Sequence, residues 1–320
     1  MNLLFRCDAT RETGIGHMMR CLALAEEAMH QGHTCTFFSQ VTPEYHHYFM
    51  DTSIHLIPMR TSPKQRIDYE TILEYDKDYD IDWVVTDHPQ MTSMYVHRLQ
   101  QQGLKVVSID DLGDILYPSE ILLNQNIHAS SLYMEPREGQ TCLFGSQYVL
   151  LRDQVLVKKK RSYDQVRTVL LSFGGITHEM MTQKYYRLIK EQVTDDVDIC
   201  IVPHPNGSVA HMGVVYETVD LAVTAGGTTC YELAYQGIPN IILSIAPDQV
   251  NTSQGFHREG IGYYLGEERH CSYQLFNQVF HQFLMEPRLR EEMGMKGKGF
   301  VDGFGRRRVM DALLNYRRNI

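Results

Sequence analysis

The residues best placed to do chemistry sit on glycine-rich turns. Gly14-Ile15-Gly16-His17 follows the apolar run Leu3-Leu4-Phe5 and precedes a helical pattern through Met18, Met19, Leu22, Leu24, Ala25 and Met29. A histidine is thereby set where a strand hands over to a helix, with backbone N–H groups and the positive helix end close by. An imidazole there suits proton transfer beside a bound phosphate or sugar. Two similar turns come later, Ser172-Phe173-Gly174-Gly175 and Thr224-Ala225-Gly226-Gly227-Thr228-Thr229. Glycines let the backbone approach phosphate oxygens, and the hydroxyls of Thr228 and Thr229 can donate to them. The plain alternative for any one of these is a tight turn without a ligand. Three of them at strand ends favour a binding function, because ligands of open α/β sheets gather there.

Several polar residues fall near these turns. Glu232 shares a helix face with Thr228 and could hold a ribose diol, although an ordinary surface glutamate also fits. Asp248-Gln249 follows a strand and could read sugar hydroxyls, or Asp248 could simply cap the next helix. Asp87-His88 and Asp110-Asp111 each end a strand. Paired carboxylates raise the question of a metal, but these ligands come from separate turns without metal spacing, so no metal is expected. There is no Gly-x-Ser-x-Gly elbow. Nor is there a Gly-x-Gly-x-x-Gly followed by an acid, which disfavours a nicotinamide; no cofactor is expected.

The elements that must position these groups read as βαβ units. In the first half, strands are expected at Leu3–Cys7, Thr34–Ser39, His55–Met59, Trp83–Thr86, Lys105–Ile109 and Ile121–Asn124, with helices at Met18–Gln31, Arg66–Tyr79 and Thr92–Gln102. Strands separated by helices of this length imply a parallel sheet. The stretch from Asp153 to Gln165 is charged and aperiodic, and its run Lys158-Lys159-Lys160-Arg161 reads as a solvated linker. The alternation then restarts with strand Val169–Phe173, helix Met180–Glu191 and strands Val197–Val202, Val214–Glu217 and Leu221–Thr224. Helix Thr228–Gln236, strand Asn240–Ile245 and helix Asn251–Glu259 follow, and the chain reads as helical from Tyr273 on. The expected fold is α/β: two Rossmann-like domains, residues 1–152 with His17 and 153–320 with the nucleotide turns and terminal helices, facing a cleft.

Composition narrows the function. The 320 residues are 43% hydrophobic and carry a net charge of −9, which argues against a broad nucleic-acid-binding face. Seven cysteines without a C-x-x-C pair suggest buried thiols in a reducing compartment. Arg6 and Asp8 interrupt any N-terminal leader, and no run of ~18 apolar residues spans a membrane. A cytoplasmic protein is expected. The remaining histidines, including His46-His47, His204, His211 and His257, read as surface residues.

Taken together, these motifs resemble the glycosyltransferase-B superfamily, and within it the UDP-sugar hydrolases of pseudaminic acid biosynthesis and the related spore-coat polysaccharide proteins. The likeness is carried by Phe5-Arg6-Cys7-Asp8, Gly14-Ile15-Gly16-His17 and Met19-Arg20-Cys21-Leu22-Ala23-Leu24-Ala25. It continues through Asp110-Asp111, Leu122-Leu123-Asn124-Gln125-Asn126, Tyr148-Val149-Leu150-Leu151-Arg152, Phe173-Gly174-Gly175, Ala225-Gly226-Gly227-Thr228-Thr229 and Val301-Asp302-Gly303-Phe304-Gly305 with Arg308-Val309. The resemblance implies that His17 is the catalytic general base for a water attacking the anomeric carbon, without a metal. It implies that Gly174 and Gly175 line the nucleotide pocket, that Gly227, Thr228 and Thr229 hold the diphosphate, with Gly226 also among the substrate-binding residues, and that Glu232 holds the ribose. Gly14, Gly16, Arg20, Asp87, His88, Asp248 and Gln249 would contact the rest of the substrate. The chain departs from the family where Pro89 follows His88, where Asp248-Gln249 replaces Asn-Gln, and between Ile201 and Asp220, a short span without an expected helix. The implied partners are a UDP-linked amino-deoxy sugar and neighbouring pathway enzymes. A glycosyltransferase using a UDP-sugar donor and a non-catalytic nucleotide-sugar-binding protein are the rival readings.

Overall fold

The structure is a computed structural model that describes residues 1–50, 52–133, 137–174, 178–202 and 211–316. The chain divides into two compact units: Met1–Arg152 with Phe304–Ile320, and Asp153–Gly303.

In the first unit, seven strands form one parallel sheet: β1 (Asn2–Cys7), β2 (Thr34–Ser39), β3 (His55–Pro58), β4 (Trp83–Asp87), β5 (Lys105–Ile109), β6 (Ile121–Asn124) and β7 (Thr141–Phe144). Their order is β3-β2-β1-β4-β5-β6-β7, so the chain reverses its direction of sheet growth between β1 and β4. The crossovers are α1 (Gly16–His30), α2 (Arg66–Tyr79) and α3 (Ser93–Gln101). Both sheet faces are covered, which is why the central strands read as unbroken apolar runs. Leu3, Phe5 and Cys7 bury against Cys21, Leu22 and Ala25 of α1, while Leu4 joins Val84, Val106 and the α3 residues Tyr95, Val96 and Leu99 on the opposite face. Short β7 escapes a sequence reading because its four residues sit at the sheet edge with only Leu143 buried.

The second unit holds β8 (Thr168–Ser172), β9 (Asp198–Ile201), β10 (Leu221–Ala225), β11 (Asn240–Ser244) and β12 (Tyr263–Glu267) in a parallel sheet ordered β12-β11-β10-β8-β9. Here the reversal falls between β8 and β10, the two strands that end in the later glycine turns. Helices α4 (Glu179–Lys190), α5 (Met212–Thr218), α6 (Thr229–Gln236), α7 (Gln249–Glu259), α8 (Tyr273–Met285) and α9 (Pro287–Phe300) complete it.

Four expectations are corrected. Val214–Glu217 is not a strand but lies inside α5, so the span before Asp220 does contain a helix. Its two valines suggested a strand, yet only Tyr216 turns fully inward, at 1% exposure, while Val214 is 61% exposed. Strand β12 appears where none was expected; Gly266, at φ 104°, breaks its pattern. The last helix, α10 (Gly305–Asn315), belongs to the first unit rather than to a 153–320 domain. It buries Val309, Met310 and Leu313 in the core that α1 covers, and Arg306 pairs with Glu26 and Glu27 on α1. In the basic run, Arg161 is no solvated linker residue: it donates to the carbonyls of Tyr216, Val219 and Gln236.

Candidate functional site

The turn after β1 is built by its own polar groups. Gly14 donates to the Thr10 carbonyl at 2.9 Å and takes φ 70°, a conformation glycine adopts without strain. Helix α1 then starts at Gly16, with no side chain capping its first N–H groups. Met18, Cys21, Leu22 and Ala25 anchor the helix in the core, which leaves His17 and Arg20, three residues apart, on a shared flank. Asp87 ends β4, opposite Cys7 of β1. The site therefore lies at the carboxyl ends of the two strands flanking the sheet's reversal.

His17 Nδ1 stands 2.7 Å from Asp87 Oδ1. Arg20 donates to both Asp87 oxygens, Nε to Oδ2 at 2.5 Å and Nη2 to Oδ1 at 2.6 Å. The same guanidinium also donates to both oxygens of Asp111, at 2.8 Å each. Asn126 holds Asp111 Oδ1 at 3.0 Å, and the Cys21 thiol points at Asp87 Oδ2 from 3.7 Å. Burial alone would raise the Asp87 carboxyl, but Arg20 and then His17 outweigh it and hold it well below its ordinary range. An ionised Asp87 fixes the proton on Nδ1. The Nε2 lone pair is then free for a substrate: no described group bonds to it, and the side chain is 23% exposed. Burial opposes a charge on His17, yet Asp87, helped by Asp111 and opposed by Arg20, raises its proton affinity above the ordinary value.

His88 has a different place. Its Nε2 donates to Asp8 at 2.9 Å and its Nδ1 accepts from the Gln90 amide at 2.9 Å, so both ring nitrogens are committed. Asp8 pairs in turn with the buried Arg6, which also grips Asp68 through Nε and Nη2 at 2.9 and 2.8 Å. Tyr95 donates to Asp68 at 2.7 Å. This second network ties β1, α2 and α3 together beneath the turns. Of Asp110 and Asp111, only the second reaches Arg20; the Asp110 carboxylate accepts from the Leu112 and Gly113 amides and from Tyr133, and so shapes the loop.

In the second unit, Gly174 closes β8 at φ 96° and is exposed, while Gly175 and His204 lie outside the described residues. Gly226 is buried, and a side chain there would collide with Ser253 and press on Gln249. The turn thus packs directly on α7, whereas Gly227 has open space around it. Thr228 precedes α6 without capping it, and neither the Thr228 nor the Thr229 hydroxyl has a hydrogen-bond partner among the described residues. Glu232 is partly buried and accepts a hydrogen bond from Tyr216 of α5. Asp248 is exposed at the start of α7 and makes no capping bond. Gln249 instead accepts from the Ile245 amide at 3.0 Å, closing the loop after β11.

The structure thus brings His17, Arg20 and Asp87 into one cluster, with Gly14 and Gly16 shaping its turn. In the second unit, Gly226, Gly227 and Thr228 form the turn into α6, which Thr229 opens and on which Glu232 stands, facing Tyr216. Asp111 and Asn126 complete the His17 cluster, though the sequence marked them only as a carboxylate pair and part of a motif. Tyr216 was missed because its segment read as a strand. Among the described residues, no group of three or more His, Cys, Asp or Glu side chains is arranged to hold a metal ion, and no helix is long and apolar enough to cross a membrane.

The chain matches no protein-family model, and no curated protein aligns with it significantly. Solved structures do share its fold. Acinetobacter baumannii MurG superposes with a TM-score of 0.69 at 14% identity, over 98% of this chain and 99% of that one. The spinosyn rhamnosyltransferase SpnG, complexed with thymidine diphosphate, gives 0.66 at 13% identity, over 98% and 100%. A putative UDP-N-acetylglucosamine 2-epimerase from Listeria monocytogenes gives 0.61 at 12% identity, over 97% and 95%. The architecture is that of the glycosyltransferase-B fold: two parallel-sheet α/β units with a C-terminal helix.

Proposed function

We propose that the chain hydrolyses a UDP-activated amino-deoxy sugar, of the UDP-2,4-diacetamido-2,4,6-trideoxyhexose type, to the free sugar and UDP, supplying nonulosonic acid or surface-polysaccharide synthesis. The observation that carries the reading is the His17–Asp87 pair, with Nδ1 fixed at 2.7 Å and Nε2 unpartnered. Nε2 accepts a proton from water as its oxygen attacks the anomeric carbon. The bond from that carbon to the diphosphate oxygen breaks, and UDP departs with the electron pair. Attack opposite the leaving group inverts the anomeric centre. The amino end of α6 and the two threonine hydroxyls stabilise charge growing on the diphosphate, and Glu232, oriented by Tyr216, receives the ribose hydroxyls.

Incubation with a panel of UDP- and CMP-linked amino sugars, followed by NMR of the products, tests this directly. Free sugar and UDP appearing with no acceptor present is the expected outcome. His17→Ala should lower the rate by roughly 10²–10⁴-fold; an unchanged rate removes His17 from the mechanism. Because the base must be neutral, kcat/KM should rise with pH through a midpoint above the ordinary 6.5.

A second reading, transfer of the sugar to an acceptor, draws support from the fold, since structures sharing it include a rhamnosyltransferase and the glycosyltransferase VinC. UDP release that requires an added acceptor would favour it.

A further inference from the structure

Two features of His17 work against a positive charge on its ring. It occupies the first turn of α1, at the positive end of the helix, and Arg20 Nη2 lies 3.2 Å from Nδ1. Asp87, 2.7 Å from the ring, is the main counterweight, but Arg20 also takes each of its oxygens, at 2.5 and 2.6 Å. Each bond from Arg20 to Asp87 draws on the carboxylate charge that faces the ring. Asp111 changes the count: it meets the same guanidinium through two 2.8 Å bonds and is itself held by Asn126. With a neutral ring, the cluster of Arg20, Asp87 and Asp111 sums to one negative charge; with an imidazolium it sums to zero.

We propose that Asp111, fixed by Asn126, is a positioning residue that sets the proton affinity of His17: by neutralising Arg20, it leaves the charge of Asp87 available to the ring. The other groups around the cluster contribute no competing charge. Burial keeps the Cys21 thiol protonated, beside Cys7 on β1. His128, near Asp111, is held below its ordinary value by burial despite the pull of that carboxylate. Asp110 turns into its own loop.

The catalytic consequence rests on His17 acting as the base; the electrostatic part does not. The test is an NMR titration of the His17 ring in the full chain, with His17→Ala assigning the signal. The midpoint should fall in Asp111→Asn and return toward wild type in Asp111→Glu, which restores the charge. In Asn126→Ala, which only loosens the carboxylate, the fall should be smaller. The rising limb of kcat/KM should move to lower pH in parallel. A folded Asp111→Asn protein with an unmoved midpoint overturns the proposal. If that variant does not fold, an unmoved midpoint in Asn126→Ala overturns it equally. Continued hydrolysis by His17→Ala, alongside a midpoint that moves in Asp111→Asn, would remove the catalytic reading and leave the charge arrangement standing.

Discussion

Asp87 is the residue on which the first cluster turns. It is 1% exposed and serves His17, Arg20 and Cys21 together. Asp87→Asn would aim amide protons at groups that are already donors, and would leave Arg20 with Asp111 alone. Breaking a buried pair in this way costs roughly 3–5 kcal/mol, and losing the Nδ1 anchor should lower turnover on the order of 10³–10⁴-fold. The stability difference should itself depend on pH. The Asp87 carboxyl lies below its ordinary value of 3.8, so its contribution is present above that pH and fades as pH falls. The His17 imidazole lies above 6.5, so its contribution is present below that pH and fades as pH rises through its folded value. Urea denaturation of wild type and Asp87→Asn should therefore differ most between about pH 4 and pH 6.5, and a pH-independent difference would contradict the assigned charges.

At the scale of elements, the turn between β10 and α6 has two glycines with separate duties. Gly226→Ala should cost about 1–3 kcal/mol, because its methyl meets Ser253 and Gln249. Gly227→Ala meets open space at an ordinary φ, so the urea midpoint should hardly move. If a diphosphate approaches that backbone, the same methyl should weaken UDP binding about tenfold, or ~1.4 kcal/mol, by calorimetry. Unchanged UDP affinity in Gly227→Ala would argue against a phosphate at this turn. The sequence carried most of this scaffold: β2, β5, β6 and α2 begin and end where apolar period and turn residues indicate. Buried strands of a doubly covered sheet announce themselves in that way. Short, half-exposed β7 and β12 do not, and in α5 only Tyr216 is fully buried, so two adjacent valines imitated a strand. That Asp87 lies near His17 was legible because both follow strand ends; that Asp87 pairs with His17 while His88 turns to Asp8 was not. Nor was the bridge from Arg20 to Asp111, since choosing between Asp110 and Asp111 depends on loop amides that no spacing rule reveals.

For the molecule as a whole, the main departure is α10. Removing residues 304–320 strips Val309, Met310 and Leu313 from the first core, at about 1.5–3 kcal/mol per side chain. Calorimetry should show the first unit melting earlier while the second keeps its transition; a parallel drop in both would mean that the units unfold as one. The second unit is one unbroken stretch, 153–303, whereas the first is assembled from both ends of the chain. Where the chain leaves and returns, the two segments run side by side: Gly303 lies against Leu156, and Gly305 against the Val149 backbone. On the ribosome, the inserted stretch therefore emerges complete before the piece that finishes its host. The early-made half must wait, its apolar seat for α10 uncovered, until Gly305–Asn315 is translated, and that interval is when a nascent chain of this kind is most exposed to chaperones and to aggregation.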